Sequence, residues 1–171
     1  GSGLVGSEMC IRDRDAFYLV EGTTKAAKRL WIAEGYATAL TINLLTGDAV
    51  MVAFSSVNFL SLASIACSQY PTHQIIIAAD RDLNGAGQTR GVVAARACNC
   101  TMVLPPVFGD WNDAFTQNGE EATRQAIYEA IKPAVASPFD TMSEAEFTAL
   151  SVSEKAQRVV DCLLYTSDAA D

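Results

Sequence analysis

Four continuous apolar runs, each followed by a helical segment, limit what this chain can fold into more than any other feature. The runs cover residues 29–33, 49–54, 74–79 and 101–104, and helical spacing follows at 36–45, 57–69, 88–98 and 120–131. No run alternates with polar residues as a half-exposed strand would, which indicates strands buried on both faces. Strands alternating with helices predict an α/β fold with a mostly parallel, four-stranded sheet flanked by helices.

Shorter elements are predicted outside these four units. Residues 16–21 form a short β-type run before the first core strand, and residues 143–160 hold one or two helices with Ser143 and Ser151 as their caps. We therefore expect an α/β domain over residues 15–118 with a short N-terminal β segment. A C-terminal helical extension is expected over residues 119–160.

Both ends of the chain resemble foreign sequence. Residues 1–3 read like an expression scar, and residues 5–14 and 162–171 resemble peptides found where adapter DNA is translated at the ends of metagenomic fragments. The natural reading frame is then expected over about 15–161, with flanks at 1–14 and 161–171 that carry no function. The alternative is that the flanks form genuine short helices.

The charge of the chain restricts how it can meet nucleic acid. Its formal net charge is −8, whereas phosphate binding favours a basic face. Residues 1–15 and 161–171 hold six acids and two arginines, a net charge of −4. The acidity argues against a free-standing nucleic-acid binder but allows a metal-dependent catalytic module that depends on neighbouring domains for affinity.

The cysteines and the hydropathy pattern exclude other classes. Five scattered cysteines argue against a disulfide framework, and Cys98 and Cys100 lack the spacing of structural zinc ligands, so buried reduced thiols are expected. No apolar run approaches the roughly 20 residues that span a bilayer, and no signal peptide is evident. A cytoplasmic protein without a membrane partner is expected.

Carboxylates follow three of the predicted strands. Glu34 comes after the first core strand, Asp80 and Asp82 after the third, and Asp110 and Asp113 after the fourth. Because the carboxyl ends of parallel strands share one edge, these acids are expected to meet there. Clustered carboxylates repel one another, and Mg²⁺, which prefers carboxylates, water and phosphates, relieves that repulsion.

Each acid also has an ordinary structural interpretation. An Asp-x-Asp pair such as Asp80 and Asp82 commonly forms a turn or a cap, and Glu34 before a glycine is uninformative by itself. Asp110 can cap the following helix, and Asp113 still more readily. Trp111 is expected to be a packing residue. It is the combination, with each acid following its own strand, that favours a metal site.

Three stretches resemble motifs of the Toprim family, which is shared by primases, topoisomerases and some nucleases. Residues 31–40 (WIAEGYATAL) resemble its strand–Glu-Gly–helix motif, and residues 75–87 (IIIAADRDLNGAG) its strand–Asp-x-Asp motif. Residues 109–115 (GDWNDAF) are similar to an element of its primase members. The resemblance implies a Toprim-like (Rossmann-like) sheet. The motif residues are most similar to those of primases from phages, plasmids and integrating elements.

The resemblance also implies roles for individual residues. Glu34 stands at the family's general acid/base, Asp80 and Asp82 at its metal pair, and Asp110 at a further metal acid with Asp113 beside it. Gly109 replaces the usual lysine, so a phosphate contact is missing or comes from elsewhere. The candidate nucleotide- and phosphate-binding residues are Arg81, Arg90, Gly35 and Asn84.

The implied activity is RNA primer synthesis from NTPs on a single-stranded DNA template, with Mg²⁺ or Mn²⁺ as cofactor. A replicative helicase domain or protein is the implied partner. The alternatives are a Mg²⁺-dependent nuclease of the same family and a truncated metal-binding domain that is inactive alone. A phosphatase with an aspartyl nucleophile fits less well, because its Asp-x-Asp pair follows the first core strand.

Overall fold

A six-stranded sheet with a parallel centre forms the framework of the protein. Its strand order is β1-β2-β4-β3-β5-β6, and the four strands β3 to β6 are parallel, as predicted. Two antiparallel strands extend this predicted four-stranded core: β2, which lies within the predicted β-type run 16–21, pairs with β4, and β1 pairs with β2. The strands are β1 Met9–Cys10, β2 Phe17–Val20, β3 Arg29–Ala33, β4 Ala49–Val52, β5 Gln74–Ala78 and β6 Thr101–Val103.

The computed structural model describes residues 9–10, 17–23, 28–132, 144–155 and 157. The chain divides into two units, residues 1–131 and 132–171, and the first holds the whole sheet. Apart from Met9–Cys10, the predicted flanks at 1–14 and 161–171 lie outside the described residues. The predicted cap Ser143 lies outside them as well.

Helices cover both faces of the sheet, as the apolar runs predict. Trp31, Val50 and Ile76 pack on one face against α1, α4 and α5, while Ile32, Met51 and Ile77 pack on the other against α2 and α3. Successive residues of a strand point to opposite faces, so burying both requires an uninterrupted apolar run. The helices are α1 Tyr36–Thr46, α2 Phe59–Gln69, α3 Ala86–Cys98, α4 Trp111–Asn118, α5 Glu120–Ala130 and α6 Glu144–Ala149.

Helix α5 belongs to the packing of the first unit. Ile127 is fully buried and joins the same core as Trp111, and Ile131 closes that core. The predicted boundary at residue 118 therefore does not coincide with a break in packing. Trp111 is a packing residue, as predicted, with its side chain buried.

The second unit contains α6 and a short helical segment over residues 152–155 that follows Ser151. Ser151 Oγ accepts a hydrogen bond from the Glu154 backbone N–H at 3.3 Å, and Glu154 Oε2 accepts one from the Ser151 N–H at 2.8 Å. This reciprocal arrangement is a capping box and confirms Ser151 as a helix cap. Helices long and apolar enough to cross a membrane are absent from the described ranges.

The described cysteines are free thiols that pack together. Cys67 Sγ lies 3.5 Å from Cys100 Sγ, and both lie half-buried beside Cys98. Burial, and then the hydrogen bond with Cys67, raises the pKa of Cys100 to about 12. These three cysteines are free thiols, as predicted, but they are only partly buried.

A buried ion pair closes the start of the sheet. The Asp48 side chain is fully buried and accepts hydrogen bonds from Arg29 Nε at 2.7 Å and Trp31 Nε1 at 2.9 Å. The hydrogen bond to Asp48, opposed by partial burial, raises the pKa of Arg29. A buried charge without a partner is costly, so each group depends on the other.

Replacing Asp48 by Asn is expected to lower the free energy of unfolding by about 2 kcal/mol, because Arg29 loses its charged partner while the Trp31 contact is kept. Urea denaturation measures the change. Glu121→Gln is the matched control, since the Glu121 carboxylate pairs with Arg124 on the surface and is 87 % exposed. An equal loss in both variants would contradict a special role for the buried pair.

Candidate active site

The strand register brings the predicted acids to one edge of the sheet. Ala33 pairs with Val52 on one side and with Ala78 on the other, and Ala78 pairs with Val103. The residues that follow these positions therefore emerge side by side at the carboxyl edge. Glu34 follows β3 directly, and Asp80 lies two residues beyond the end of β5.

Asp80 lies at the centre of this acidic group. Its Oδ1 atom is buried and has no hydrogen-bond partner among the described residues. Burial first, and then the charges of Glu34, Asp110, Asp82 and Asp113, raise the pKa of Asp80 to about 7. All five predicted acids thus interact at one place, and the orphaned oxygen is the kind of ligand that a divalent cation takes.

The first turn of α3 lies against two of these carboxylates. A Cβ placed on Gly87 would lie 3.0 Å from Asp82 Oδ2 and 3.8 Å from Glu34 Oε2. Gly87 is buried, so its missing side chain lets α3 approach the acids this closely. The positive end of the helix dipole favours negative charge at that position.

Asp110 and Asp113 are engaged with each other at the start of α4. Asp110 Oδ1 accepts from the Asp113 backbone N–H at 2.8 Å, and Asp113 Oδ2 accepts from the Asp110 N–H at 2.9 Å. The second oxygen of Asp110 accepts from Thr38 Oγ1 at 2.8 Å. The capping interpretation of these two acids therefore describes their contacts in the structure.

The hydrogen bonds of Asp110 and Asp113 limit which acids are available to bind a metal ion. Within the described ranges, no three His, Cys, Asp or Glu side chains are arranged to hold a metal ion as they stand. The hydrogen bonds of Asp110 and Asp113 already occupy three of their carboxylate oxygens. Mg²⁺ commonly takes one or two protein carboxylates and completes its shell with water and phosphate, and Asp80 with Asp82 fits that donor set.

Comparison with known proteins assigns the site to a family. A model of the Toprim domain matches residues 29–121, more than half of the chain. The chain belongs to the Toprim family. Toprim domains generally bind divalent metal ions, which agrees with the acids at this edge.

Two relatives are proteins of Escherichia coli, each named DNA primase TraC. One is 31 % identical over 113 residues, covering 61 % of this chain and 11 % of the relative. The other is 33 % identical over 87 residues, covering 47 % of this chain and 6 % of the relative. The Toprim chain thus spans about a tenth or less of these proteins, and no solved structure matches it.

The candidate phosphate-binding arginines both have partners inside the Toprim domain. Arg81 Nε donates to the Pro105 carbonyl at 2.8 Å, and the Arg81 backbone pairs with Gly109 in an antiparallel bridge. Arg90 Nη1 donates to Ser56 Oγ at 3.0 Å. Arg81 therefore fastens the end of β5 to the segment before α4, while Arg90 joins α3 to the turn before α2.

Gly35 and Asn84 have local structural roles. Gly35 is the N-cap of α1 with an extended φ of −106°, and a Cβ there would meet only Thr38 Oγ1 at 3.9 Å. Asn84 Oδ1 accepts from the Ala86 N–H at 3.0 Å and orders the entry to α3. Their proposed contacts with nucleotide remain predictions.

Gly109 explains why this chain lacks the lysine usual in primase members of the family. Its φ is +104°, and a Cβ there would lie 2.1 Å from Asp113 Oδ2. A side chain would therefore force Asp113 out of the capping box. The glycine is required by the local backbone and by the closed pair of acids.

Three residues that support the site were not predicted from the sequence. Thr38 is fully buried and holds Asp110, Ser56 holds Arg90, and Gly87 admits α3 to the acids. The sequence does not single out Thr38, since it is one of three threonines on the buried face of α1, with Thr41 and Thr46. Ser56 lies far along the chain from Arg90, and Gly87 lies far from Glu34, so these contacts depend on tertiary packing.

Proposed function

We propose that this Toprim domain catalyses primase-type nucleotidyl transfer, synthesising an RNA primer on single-stranded DNA as part of a mobile-element primase. One observation carries the proposal: the buried, unpartnered oxygen of Asp80 lies among four other acids at the carboxyl edge of the sheet. Membership of the family and similarity to DNA primase TraC support the same reaction class.

The acids have two proposed roles, which are binding of the metal ion and transfer of a proton. Asp80 and Asp82 would hold Mg²⁺ or Mn²⁺, with Asp110 and Asp113 contributing charge behind them. When bound, the cation would neutralise the triphosphate of the incoming nucleotide. Glu34, beside the first turn of α3, would accept the proton of the attacking 3′-hydroxyl as pyrophosphate leaves.

The proposed substrates are NTPs and a single-stranded template in the cytoplasm, with a replicative helicase domain or protein as partner. The net charge of −8 makes tight template binding through phosphate contacts unfavourable for this chain alone. Further parts of a longer primase would then supply most of the template affinity. This division agrees with the small share of each TraC relative that the chain covers.

A Mg²⁺-dependent nuclease is the second candidate, and Gly109 is the observation that favours it. The lysine usual at this position in primases is absent, and Arg81 and Arg90 have partners within the domain. A site with fewer basic phosphate contacts suits cleavage of a bound strand at least as well as capture of a free triphosphate.

A primer-synthesis assay beside a nuclease assay separates the two candidates. The protein is incubated with single-stranded DNA, labelled NTPs and Mg²⁺ or Mn²⁺, and compared with Asp80→Ala and with the surface control Glu121→Gln. We expect primers from the wild type and the control and at least a hundredfold fewer from Asp80→Ala. Cleavage without synthesis would reject the primase proposal in favour of the nuclease.

If neither product forms, metal binding tests the third alternative, a domain inactive alone. Mn²⁺ binding followed by electron paramagnetic resonance would then show an ion held by the wild type and lost in Asp80→Ala. Without such binding, every metal-based function proposed for this edge is wrong.

A further inference from the structure

Two phenylalanines expose their rings at the same edge of the sheet as the acids. Phe54 is 58 % exposed and Phe108 is 66 % exposed. The other phenylalanines whose side chains the structure describes, Phe17, Phe59 and Phe115, are partly or fully buried. Phenylalanine is normally an interior residue, so two exposed rings at one edge call for a binding explanation.

Phe54 lies directly beside the end of β3. Ala33 pairs with Val52 in the parallel register, and the Ala53 N–H donates to the Ala33 carbonyl at 2.8 Å, so Phe54 emerges beside Gly35, the residue that follows Glu34. Its φ is +59°, a left-handed conformation that is unusual for a bulky residue. Backbone strain of this kind is found at ligand-binding positions, where the rest of the fold maintains it.

Phe108 lies on the other side of the acids. The antiparallel bridge between Arg81 and Gly109 puts the preceding residue, Phe108, beside Asp82. Since the strands lie in the order β4-β3-β5-β6, the spatial order of the residues along this edge is Phe54, Glu34, Asp80 and Phe108. The acidic group therefore lies between two exposed aromatic rings.

We propose that Phe54 and Phe108 are stacking platforms for the bases of a single-stranded nucleic acid that crosses the acidic edge. The proposal rests on the proposed function, because it takes the acids to act on a phosphodiester or triphosphate between the two rings. Bases stack on aromatic side chains irrespective of sequence, which suits a primase or nuclease domain that meets many templates.

The charge of this edge favours bases over phosphates as the contacts. Five carboxylates repel a phosphate backbone, and the nearby arginines Arg81 and Arg90 donate to groups of the protein. The face of a base is uncharged, so it can pack on a ring next to carboxylates without that repulsion. Few basic groups are available to bind the phosphates, so stacking would supply the binding free energy instead. Each ring is expected to increase the affinity about tenfold.

Binding of a fluorescent dT12 oligonucleotide, compared with an abasic 12-mer of equal charge, tests the proposal. Fluorescence anisotropy is measured with the full chain in EDTA, so that neither metal nor catalysis contributes. We expect the wild type to bind dT12 at least tenfold more tightly than the abasic strand. Equal affinities, or no binding of dT12, would overturn the proposal and indicate that the rings meet a protein partner.

Variants test whether the rings of Phe54 and Phe108 cause the preference for dT12. Phe54→Gly keeps the left-handed backbone without strain, and combined with Phe108→Ala it should remove the preference for dT12, whereas Phe54→Tyr should retain it. Leu44→Ala, at a residue 65 % exposed on α1, is the control for loss of any apolar surface group. Retention of the preference in the double variant would overturn the assignment.

Failure of the stacking proposal can be distinguished from failure of the proposed function. Asp80→Ala should keep the preference for dT12, because it removes no ring. Preference for bases without synthesis or cleavage would reject the proposed function and leave the stacking surface. Synthesis that persists in the double variant, with the preference for dT12 unchanged, would reject the stacking surface alone.

Discussion

Asp80→Asn is expected to make the metal-free protein more stable and to abolish its response to Mg²⁺. The wild-type carboxylate has a buried oxygen without a partner and four acidic neighbours. The raised pKa of about 7 corresponds to at most about 4 kcal/mol, at about 1.4 kcal/mol per pH unit. Because solvent screens a half-buried group, we expect a gain of about 1–2 kcal/mol, or a few degrees in Tm.

The pH dependence identifies the cause of this gain. The pKa of Asp80 is higher in the folded chain than its ordinary value of 3.8, so the folded state binds more protons than the unfolded state between about pH 4 and pH 7. The wild type therefore loses stability as the pH rises through that window. The advantage of Asp80→Asn should be small at pH 4.5 and largest at pH 8.

Thermal denaturation with and without Mg²⁺ measures both effects. The wild type should gain Tm when Mg²⁺ is added at pH 8, since a bound ion stabilises only the folded state, and Asp80→Asn should not. Glu121→Gln, which removes an exposed charge far along the chain, is the control. An Asp80→Asn protein less stable than the wild type at pH 8 would contradict the description of a strained acidic centre.

Gly109→Ala is expected to lower the free energy of unfolding by about 3 kcal/mol, from the backbone strain at positive φ together with loss of the cap on α4. The added Cβ would lie 2.1 Å from Asp113 Oδ2, so the carboxylate must leave its hydrogen bond to the Asp110 N–H. Gly109→Lys, which restores the residue usual in primases of the family, should lose at least as much. Urea denaturation measures both.

Gly119→Ala separates the two causes. Gly119 also has a positive φ, +82°, but a Cβ there would meet nothing within 4 Å. It should therefore show the cost of backbone strain alone, about 1–2 kcal/mol. If Gly109→Ala costs no more than Gly119→Ala, the closed pair of Asp110 and Asp113 contributes nothing to stability.

The parallel core and the grouping of the acids could be predicted from sequence because both follow from local patterns. An apolar run such as 74–79 identifies a buried strand, and the topology of parallel strands brings the residues after each strand together. The two antiparallel strands β1 and β2 were missing from the predicted sheet, since strand pairing over long separations leaves little trace in a single sequence. Residues 17–20 have a β-type pattern, but that pattern does not show which strand they pair with.

The partners of the acids could not be predicted. Asp113 has the same sequence context whether it binds a metal or closes a capping box, so the sequence left both interpretations open, and the structure shows the capping box. Asp48 is similar: its position after a helix predicts a loop residue, yet it forms the buried partner of Arg29. In each case the deciding contact is made by a residue or conformation that sequence spacing does not specify.

The bridge between Arg81 and Gly109 also has a consequence for the energetics of ligand capture. Two backbone hydrogen bonds, of 2.8 and 3.1 Å, join the segment carrying Asp80 and Asp82 to the one carrying Asp110. These bonds hold the two segments together, so we expect a cation site to assemble mainly through side-chain rotations, each costing on the order of 1 kcal/mol. A site that is already ordered loses little free energy on binding, so the contacts with the ion and the substrate phosphates contribute more fully to affinity.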